Sequence, residues 1–384
     1  MQIKTCAKQI YSWCDERIGI SDLLEFAKKK AVPEHKHTFW YYWGGISLLF
    51  FIIQAFTGAL LLIYYRPGPD AYESVRQITY EMKFGWLIRS IHSWAANLML
   101  AAVFIHMFSV FFMKAYRRPR EIGWLSGLIL LLVCMIFGFS GYLLPMDELA
   151  FFATKVGLEI PAAPLNAIGE LVAGALAIIG IKAQWLGSIG SDISSLIRGG
   201  FEVNEYTVQR FFSLHVIVLP AVFLAVLGLH LYLVQKHGNA VPPSEEAKPI
   251  EQRKSVPFFP NFLMRDLAAW LIALNVLILL AAMFPWDLGQ PADPLKPAPA
   301  GIHPEWYFMS SFQVLKAFGQ WFPGITGEIL GMILFTAGLV LWTLIPFYDN
   351  TSASGKRARR ATWFGLFTLA VLVLTTIWGY LALK

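Results

Sequence analysis

Cysteine and charge are both scarce in this chain. Cysteine occurs at three of the 384 positions, Cys6, Cys14 and Cys134, with no C-x-x-C-H or clustered arrangement. This excludes a c-type haem attachment or a cysteine-ligated iron–sulfur centre within the chain itself. Charged residues account for 15% of the sequence and hydrophobic residues for 57%, which favours an integral membrane protein. The first forty residues are mixed and polar, so we expect no cleavable signal peptide.

Seven stretches lack Asp, Glu, Lys and Arg, and each reaches the ~20 residues that a helix needs to cross the membrane. They comprise residues 39–65, 90–113, 122–146, 211–235, 267–286, 329–348 and 361–383. We therefore predict an all-α, polytopic membrane protein with seven transmembrane helices. The leader, residues 1–38, contains an amphipathic stretch at 18–32 that we expect to form a helix lying flat on the cytoplasmic surface.

Lysine and arginine are concentrated in alternate segments between these stretches. They crowd the leader and the loops after the second, fourth and sixth stretches, at Lys28, Lys29, Lys30, Lys36, Lys114, Arg117, Arg118, Arg120, Lys236, Lys248, Arg253, Lys254, Lys356, Arg357, Arg359 and Arg360. The positive-inside rule then places the N-terminus in the cytoplasm and the C-terminus in the periplasm of a bacterial inner membrane. Because topology explains the net charge of +6, no nucleic-acid partner is expected.

Four histidines lie inside the second and fourth stretches, in two pairs of similar spacing. His92 and His106 are 14 residues apart, and His215 and His230 are 15 apart, which is roughly 21–22 Å along each helix with both members near one face. Metal-binding side chains are costly in hydrocarbon and so indicate function. Two adjacent helices would pair His92 with His215 near the periplasm and His106 with His230 near the cytoplasm. We predict two non-covalent, bis-histidine b haems.

Glycines repeat the same interval in the first and third stretches. Gly44 and Gly58 are 14 residues apart, as are Gly127 and Gly141. Glycine lets a flat ring approach a helix backbone, although small residues also favour plain helix packing in membranes. Arg89, at the periplasmic end of the second stretch, would provide a cation for a haem propionate; the alternative is an interfacial arginine that snorkels.

Four longer motifs occur along the chain: FGWLIRSIHSW at 84–94, RRPREIGW at 117–124, QRFFSLH at 209–215 and PEWY at 304–307. Together they resemble the cytochrome b subunit of the cytochrome bc1 and b6f complexes. Residues 39–240 resemble the four-helix, dihaem b6 type. Residues 241–384 are similar to its three-helix partner, subunit IV, fused on through a polar joint.

The resemblance implies the catalytic core of a quinol:cytochrome c, or related acceptor, oxidoreductase. Quinol would be oxidised near the periplasm, with one electron passing to a Rieske iron–sulfur protein and on to a c-type cytochrome. The other electron would cross through the two b haems and reduce quinone near the cytoplasm, which contributes to the proton gradient. A homodimer within the complex is also implied.

Glu305 and Tyr307 of the PEWY motif are the candidate catalytic residues. A carboxylate buried in an apolar pocket has a raised pKa and can accept a proton, as quinol oxidation requires. The phenol of Tyr307 adds an aromatic wall with a polar tip. Considered without the histidines, the motif is equally an interfacial aromatic belt with one solvated acid.

The cytoplasmic quinone site depends on one residue. The resemblance implies that Asp266 contacts quinone, whereas its position alone is equally that of an acid at a helix N-terminus. The b6 type has an arginine where this chain has Gln235, and a cysteine that holds a covalent third haem where this chain has Tyr42. We therefore do not expect a covalent third haem.

The loop between the third and fourth stretches contains a segment, residues 166–189, that the b6 pattern lacks. Its apolar core at 171–181 has only 11 residues, which is too short to span a membrane. The segment either lies on the membrane surface or covers the docking face of the Rieske protein.

Two other classes of protein remain open. A haem b membrane anchor of a dehydrogenase or hydrogenase would pass electrons without dividing them between two acceptors, and would need fewer spans and no PEWY loop. A transporter could use intramembrane histidines to relay protons, and would purify without haem absorbance.

Overall fold

Helices make up most of the part of the chain that the computed structural model describes, residues 2–299, 301–322, 325–350 and 355–383. Up to residue 198 the helices are α1 (Gln2–Ile18), α2 (Ile20–Lys29), α3 (Tyr42–Leu61), α4 (Ala71–Tyr80), α5 (Gly85–Phe112), α6 (Glu121–Leu143), α7 (Glu148–Glu159), α8 (Ala162–Ile178) and α9 (Ile189–Arg198). They continue with α10 (Glu205–Ser213), α11 (Leu219–His237), α12 (Pro243–Glu246), α13 (Leu263–Met283), α14 (Trp306–Trp321), α15 (Ile325–Tyr348) and α16 (Lys356–Leu381). The helical class is confirmed.

The prediction of seven spans is not confirmed, because eight described helices are long and apolar enough to cross a membrane. They are Thr38–Leu61, Gly85–Phe112, Glu121–Leu143, Glu148–Ile178, Glu205–His237, Phe258–Met283, Thr326–Tyr348 and Lys356–Leu381. The additional candidate, Glu148–Ile178, joins α7 and α8. Its scattered charges place it outside any charge-free stretch, although the structure makes it helical along most of its length.

The helix predicted at 18–32 is present as the shorter α2, and the structure adds α1 before it and a strand after it. Helices α1 and α2 are separated at Gly19, whose φ of 64° is left-handed, and α2 ends at Lys29. The chain then extends into strand β1 (Ala31–Glu34), which pairs antiparallel with β2 (Lys254–Pro257), placing Val32 opposite Val256. This small sheet connects the leader to the segment just before α13. Strand β1 contains Pro33, which is compatible with an edge strand.

Two helix pairs form the N-terminal bundle. Helix α3 packs along α5, and α6 packs along α11, while α5 also contacts α6. Phe51 of α3 and Phe223 of α11 stack with ring centroids 4.2 Å apart, and Met99, Leu100 and Leu130 are buried in the same apolar core. The two pairs therefore share one core between them.

The C-terminal helices dock onto the ends of α5 and α6. Phe111 of α5 stacks on Trp342 of α15 at 4.2 Å. Asp349, which is fully buried, accepts a hydrogen bond from the Tyr116 hydroxyl at 2.6 Å and from Arg117 Nη2 at 2.9 Å, with Lys114 Nζ 3.5 Å away. Removing that carboxylate would leave two cations with little access to solvent, a change that typically costs ~3–5 kcal/mol.

Candidate functional site

Each of the four predicted glycines lies against one of the four predicted histidines. A Cβ atom built on Gly58 would lie 3.4 Å from Cε1 of His92, and one on Gly141 would lie 2.8 Å from Cε1 of His215. These contacts are close to van der Waals distance or shorter, so the glycines leave room that any other residue would fill.

The same arrangement recurs further along the bundle, around His106 and His230. We call the two arrangements the His92 level and the His106 level. A Cβ on Gly44 would lie 3.1 Å from Cε1 of His106, and one on Gly127 would lie 3.3 Å from Cε1 of His230. Helices α3 and α5 are therefore antiparallel, and so are α6 and α11. His92 lies close enough to His215 to interact electrostatically, as does His106 to His230.

Three hydroxyl groups, which the sequence analysis did not identify, orient three of the imidazoles. The Thr57 hydroxyl donates to the Ile53 carbonyl at 2.7 Å, so its oxygen is left to accept from His92 Nδ1 at 2.8 Å. This places the proton of a neutral imidazole on Nδ1 and leaves the Nε2 lone pair for a metal.

The other two hydroxyls have the same geometry. Ser140 donates to the Phe137 carbonyl and lies 3.0 Å from His215 Nδ1. Ser126 donates to the Gly123 carbonyl and lies 2.9 Å from His230 Nδ1. In each case the hydroxyl directly precedes one of the glycines, so the dipeptides Thr-Gly and Ser-Gly are the sequence signal that could have revealed them.

His106 is the exception. Its Nδ1 is buried and has no hydrogen-bond partner among the described residues. The residue before its glycine is Trp43, which has no hydroxyl to offer. At each level two imidazoles interact electrostatically and a glycine lies against each of them, which fits a flat metal-bearing ring at both levels.

His215 lies within an irregular stretch of its helix. A π-helical turn, Leu214–Val218, joins α10 to α11. Such turns are rare and occur often at functional sites, because the extra residue redirects the neighbouring side chains. The 15-residue interval between His215 and His230, one longer than that between His92 and His106, contains most of this turn.

Arg89 contacts backbone carbonyls and not an acidic side chain in the described residues. Its side chain is buried at 8% exposure, so a snorkelling arginine does not describe it. Nη1 donates to the Trp286 carbonyl at 2.6 Å and Nη2 to the Asp287 carbonyl at 3.0 Å. A guanidinium has five donors, so this cation fixes the loop after α13 and retains capacity for an anion.

The PEWY motif begins α14 and lies across α5 and α6. Trp306 Nε1 donates to Asn97 Oδ1 at 2.8 Å, five residues beyond His92. A Cβ on Gly138 would overlap the Tyr307 hydroxyl, so this phenol touches the backbone of α6 one turn before Gly141. The motif is thus adjacent to the His92–His215 pair.

Glu305 is half-buried at the N-terminal end of α14. Burial raises the pKa of its carboxyl above the ordinary value, and the neighbouring His303 opposes this to a smaller degree. Burial also raises the pKa of the Tyr307 phenol, with the charge of Glu305 adding to the effect. The pair therefore combines a carboxylate with increased proton affinity and a phenol that keeps its proton.

Asp266 lies at the opposite end of the bundle, against α3. A Cβ on Gly45 would lie 2.8 Å from Asp266 Oδ1 and 3.0 Å from Trp270 Nε1. Both of these atoms are buried without a hydrogen-bond partner among the described residues. An unpaired acceptor and an unpaired donor in one apolar setting are costly unless a ligand or water satisfies them.

Two positions that depart from the b6 pattern have defined neighbours. Tyr42 is buried and stacks on Phe262 with ring centroids 5.1 Å apart. Gln235 accepts a hydrogen bond from Lys30 of the leader. Lys30 of the leader thus places a cation beside Gln235, the position at which the b6 pattern has an arginine.

The fold and these paired sites define the class: a multi-span helical membrane protein with two stacked histidine pairs in one bundle. Residues 97–291 match the family model described as cytochrome b (N-terminal)/b6/petB, and residues 291–382 match cytochrome b (C-terminal)/b6/petD. The chain belongs to the cytochrome b family, whose members bind haem b.

Individual relatives agree with this assignment. The chain is 46% identical over 370 residues to a cytochrome bc complex cytochrome b subunit of Chlorobaculum thiosulfatiphilum, covering 96% of this chain and 80% of that one. It is 35% identical over 235 residues to cytochrome b6 of Acaryochloris marina, covering 61% of this chain and 99% of the relative. A solved structure described as a hyperthermophilic respiratory Complex III matches with a TM-score of 0.75 and 29% identity, covering 96% of this chain and 98% of that chain.

Proposed function

We propose that this chain is the dihaem cytochrome b subunit of a bc-type respiratory complex III, the core of a quinol:electron-acceptor oxidoreductase. One observation carries the proposal: Trp306 and Tyr307 of the PEWY motif contact α5 and α6 beside the His92–His215 pair. A site for proton removal and a site for a metal-bearing ring are then neighbours. The names of the relatives, a bc-complex subunit and a Complex III, support it.

The two histidine pairs would hold the haems without covalent attachment. His92 and His215 would ligate one iron through Nε2, and His106 and His230 the other, with Gly58, Gly141, Gly44 and Gly127 giving the rings room. Bound there, the haems would carry single electrons between the two faces of the membrane. Arg89 has the free donors to hold a propionate near the His92 level.

Quinol oxidation would take place beside Glu305. The raised pKa of this carboxyl suits it to accept a proton from a quinol hydroxyl, and its position at the beginning of α14 allows it to release that proton toward water. Tyr307 would form a wall of the pocket and orient the quinol. An oxidised Rieske iron–sulfur protein, which passes electrons to a c-type cytochrome, is the proposed partner.

Quinone reduction would take place beside Asp266. Its unpaired Oδ1, together with Trp270 Nε1, would provide an acceptor and a donor for a quinone. With the N-terminus cytoplasmic, this site takes up protons from the cytoplasm while the Glu305 site releases them to the periplasm, so turnover builds a proton gradient. The chain would act as a homodimer in the bacterial inner membrane.

Haem content and quinol turnover test the proposal together. The purified complex should contain two acid-acetone-extractable b haems per chain and should reduce an oxidised Rieske partner when given a quinol analogue. Two haems without this turnover would favour the membrane anchor of a dehydrogenase or hydrogenase. A purified complex without haem absorbance would favour the transporter. A reporter fused after Phe347 should be cytoplasmic, and one at the C-terminus periplasmic.

A further inference from the structure

The connection between α6 and α11 begins and ends at the same face of the membrane. Gly141, near the end of α6, lies against His215, which precedes α11, and Gly127 lies against His230 near the other end. The two helices are therefore antiparallel. Helices α7, α8 and α9 belong to this connection, and α9 has only 10 residues, too few to return across the bilayer. A single crossing by α8 is incompatible with this geometry.

Helix α8 and the turn after it form a hairpin with a polar, hydrogen-bonded base. A Cβ on Gly169 would overlap the Leu186 carbonyl oxygen, so the two backbones are in contact there. Asn166 Oδ1 accepts from the backbone N–H groups of Gly190 at 2.8 Å and Ser191 at 3.1 Å. The chain reverses near Gly180, where φ is 82°. We call residues 162–188 the α8 hairpin.

The α8 hairpin is apolar and exposed from just beyond its base to its tip. Its large exposed side chains, between 40% and 90% accessible, are Leu171 (69%), Val172 (44%), Ile178 (86%), Ile179 (69%), Ile181 (49%) and Trp185 (65%). Lys182 is the only charged residue between Glu170 and Asp192. A contiguous apolar surface of this kind marks an interaction site rather than a water-exposed loop.

The neighbours of the hairpin indicate what covers this surface. Helix α8 packs against α15, which is itself a candidate membrane span and exposes Ile333 and Leu334. The hairpin therefore lies beside a helix whose exposed apolar side chains are those expected to face acyl chains. From Gly169 to Gly180 the hairpin extends for roughly 16 Å, about half of the ~30 Å hydrocarbon core. Trp185 lies in a short 3₁₀ helix, Gln184–Ser188, on the returning segment, and tryptophan is of the type enriched at the membrane interface.

We propose that the α8 hairpin inserts into one leaflet of the bilayer, at the face where α6 ends, and does not cross it. Its partner is lipid: acyl chains surround Ile178 and Ile179 near the tip, while the base at Asn166 remains at the interface. The hairpin is a membrane anchor for the loop between α6 and α11, next to α15.

Spin-label accessibility in the assembled complex tests this. Nitroxides are attached at Ile178→Cys, at Glu205→Cys and at Leu224→Cys in a background with Cys6, Cys14 and Cys134 replaced, and the complex is placed in phosphatidylcholine–phosphatidylglycerol nanodiscs. Glu205 is exposed at the start of α10, and Leu224 is exposed on α11. The measured quantity is the collision rate with oxygen divided by the collision rate with an aqueous nickel chelate. This ratio should be several-fold higher for the label at 178 than for the label at 205, and should approach the ratio for the label at 224.

Each other outcome overturns the proposal. Frequent collision with the nickel chelate at 178 would place the tip in water, and infrequent collision with both reagents would place it under a partner protein. In membrane vesicles, an impermeant thiol reagent that reaches Ile178→Cys from the face opposite to Glu205→Cys would show that α8 crosses.

Discussion

The two histidine pairs are built on the same plan but are not anchored equally. At the His92 level both Nδ1 atoms have a hydroxyl partner, from Thr57 at 2.8 Å and from Ser140 at 3.0 Å. At the His106 level only His230 has one, and Nδ1 of His106 has no partner among the described residues.

This difference has a chemical consequence for a bound metal. A hydrogen bond from Nδ1–H increases the basicity of Nε2 and fixes the orientation of the ring, and losing it typically lowers metal affinity or activity 10–100-fold. More basic axial ligands favour the oxidised iron. The level with fewer anchors, that of His106, should therefore hold the haem with the higher reduction potential, which directs electrons away from the Glu305 site.

The largest expected effect is the complete loss of one site. His92→Leu should remove the haem at its own level and leave the other, so that the pyridine-haemochrome assay falls from two haems per chain to one. His106→Leu should have the reciprocal effect, with the surviving haem showing the spectrum that is lost in His92→Leu. His37→Leu, which changes a half-buried histidine outside the bundle, is the control. Two haems in His92→Leu would disprove the pairing.

Next in size is the effect of Glu305→Gln on quinol oxidation. The amide preserves shape but cannot ionise, and positioned acid–base groups typically contribute roughly 10²–10⁴-fold. The wild-type rate should rise with pH as Glu305 ionises, with an apparent pKa above the usual carboxyl range because burial raises it. Steady-state turnover with a quinol analogue and a Rieske partner would measure both the loss and the disappearance of this pH dependence.

A matched control separates proton transfer from a general change in surface charge. Glu202→Gln removes an exposed carboxylate that pairs with Lys155 at 2.9 Å, and it should leave the rate unchanged. Both haem spectra should persist in Glu305→Gln. A wild-type rate at every pH in that variant would reduce Glu305 to a pocket wall.

The histidines and glycines could be predicted because membrane burial leaves so few polar or small residues without a purpose. Their 14- and 15-residue intervals already predict that they lie at two depths in the membrane. The partners of Arg89 could not be predicted, because the Trp286 and Asp287 carbonyls reach it only through tertiary folding. The contact between Tyr307 and Gly138 could likewise not be predicted, since the two positions are 169 residues apart in sequence.

The number of membrane-spanning helices and the structure of the leader were less predictable. Counting charge-free stretches left out the eighth candidate span, Glu148–Ile178, because Lys155, Glu159 and Glu170 interrupt its apolar run. A helix tolerates one acid near its base when the rest of its surface is apolar. The helix predicted at 18–32 is present as α2, Ile20–Lys29, but strand β1 after it could not be predicted, since its partner β2 is more than two hundred residues away.

The smallest expected effect tests the unequal anchoring itself. Thr57→Val retains the branched shape but removes the acceptor from His92 Nδ1, so the haem at that level should rise in reduction potential and the gap between the two haems should narrow. Ser126→Ala removes the hydroxyl partner of His230 at the other level. The reduction potential of the haem at that level should then rise, and the difference between the two potentials should widen. Potentiometric titration of the purified complex, followed at the two haem absorbances, distinguishes these opposite shifts. If both variants move the gap in the same direction, the hydroxyls do not tune the sites and serve only to pack the helices.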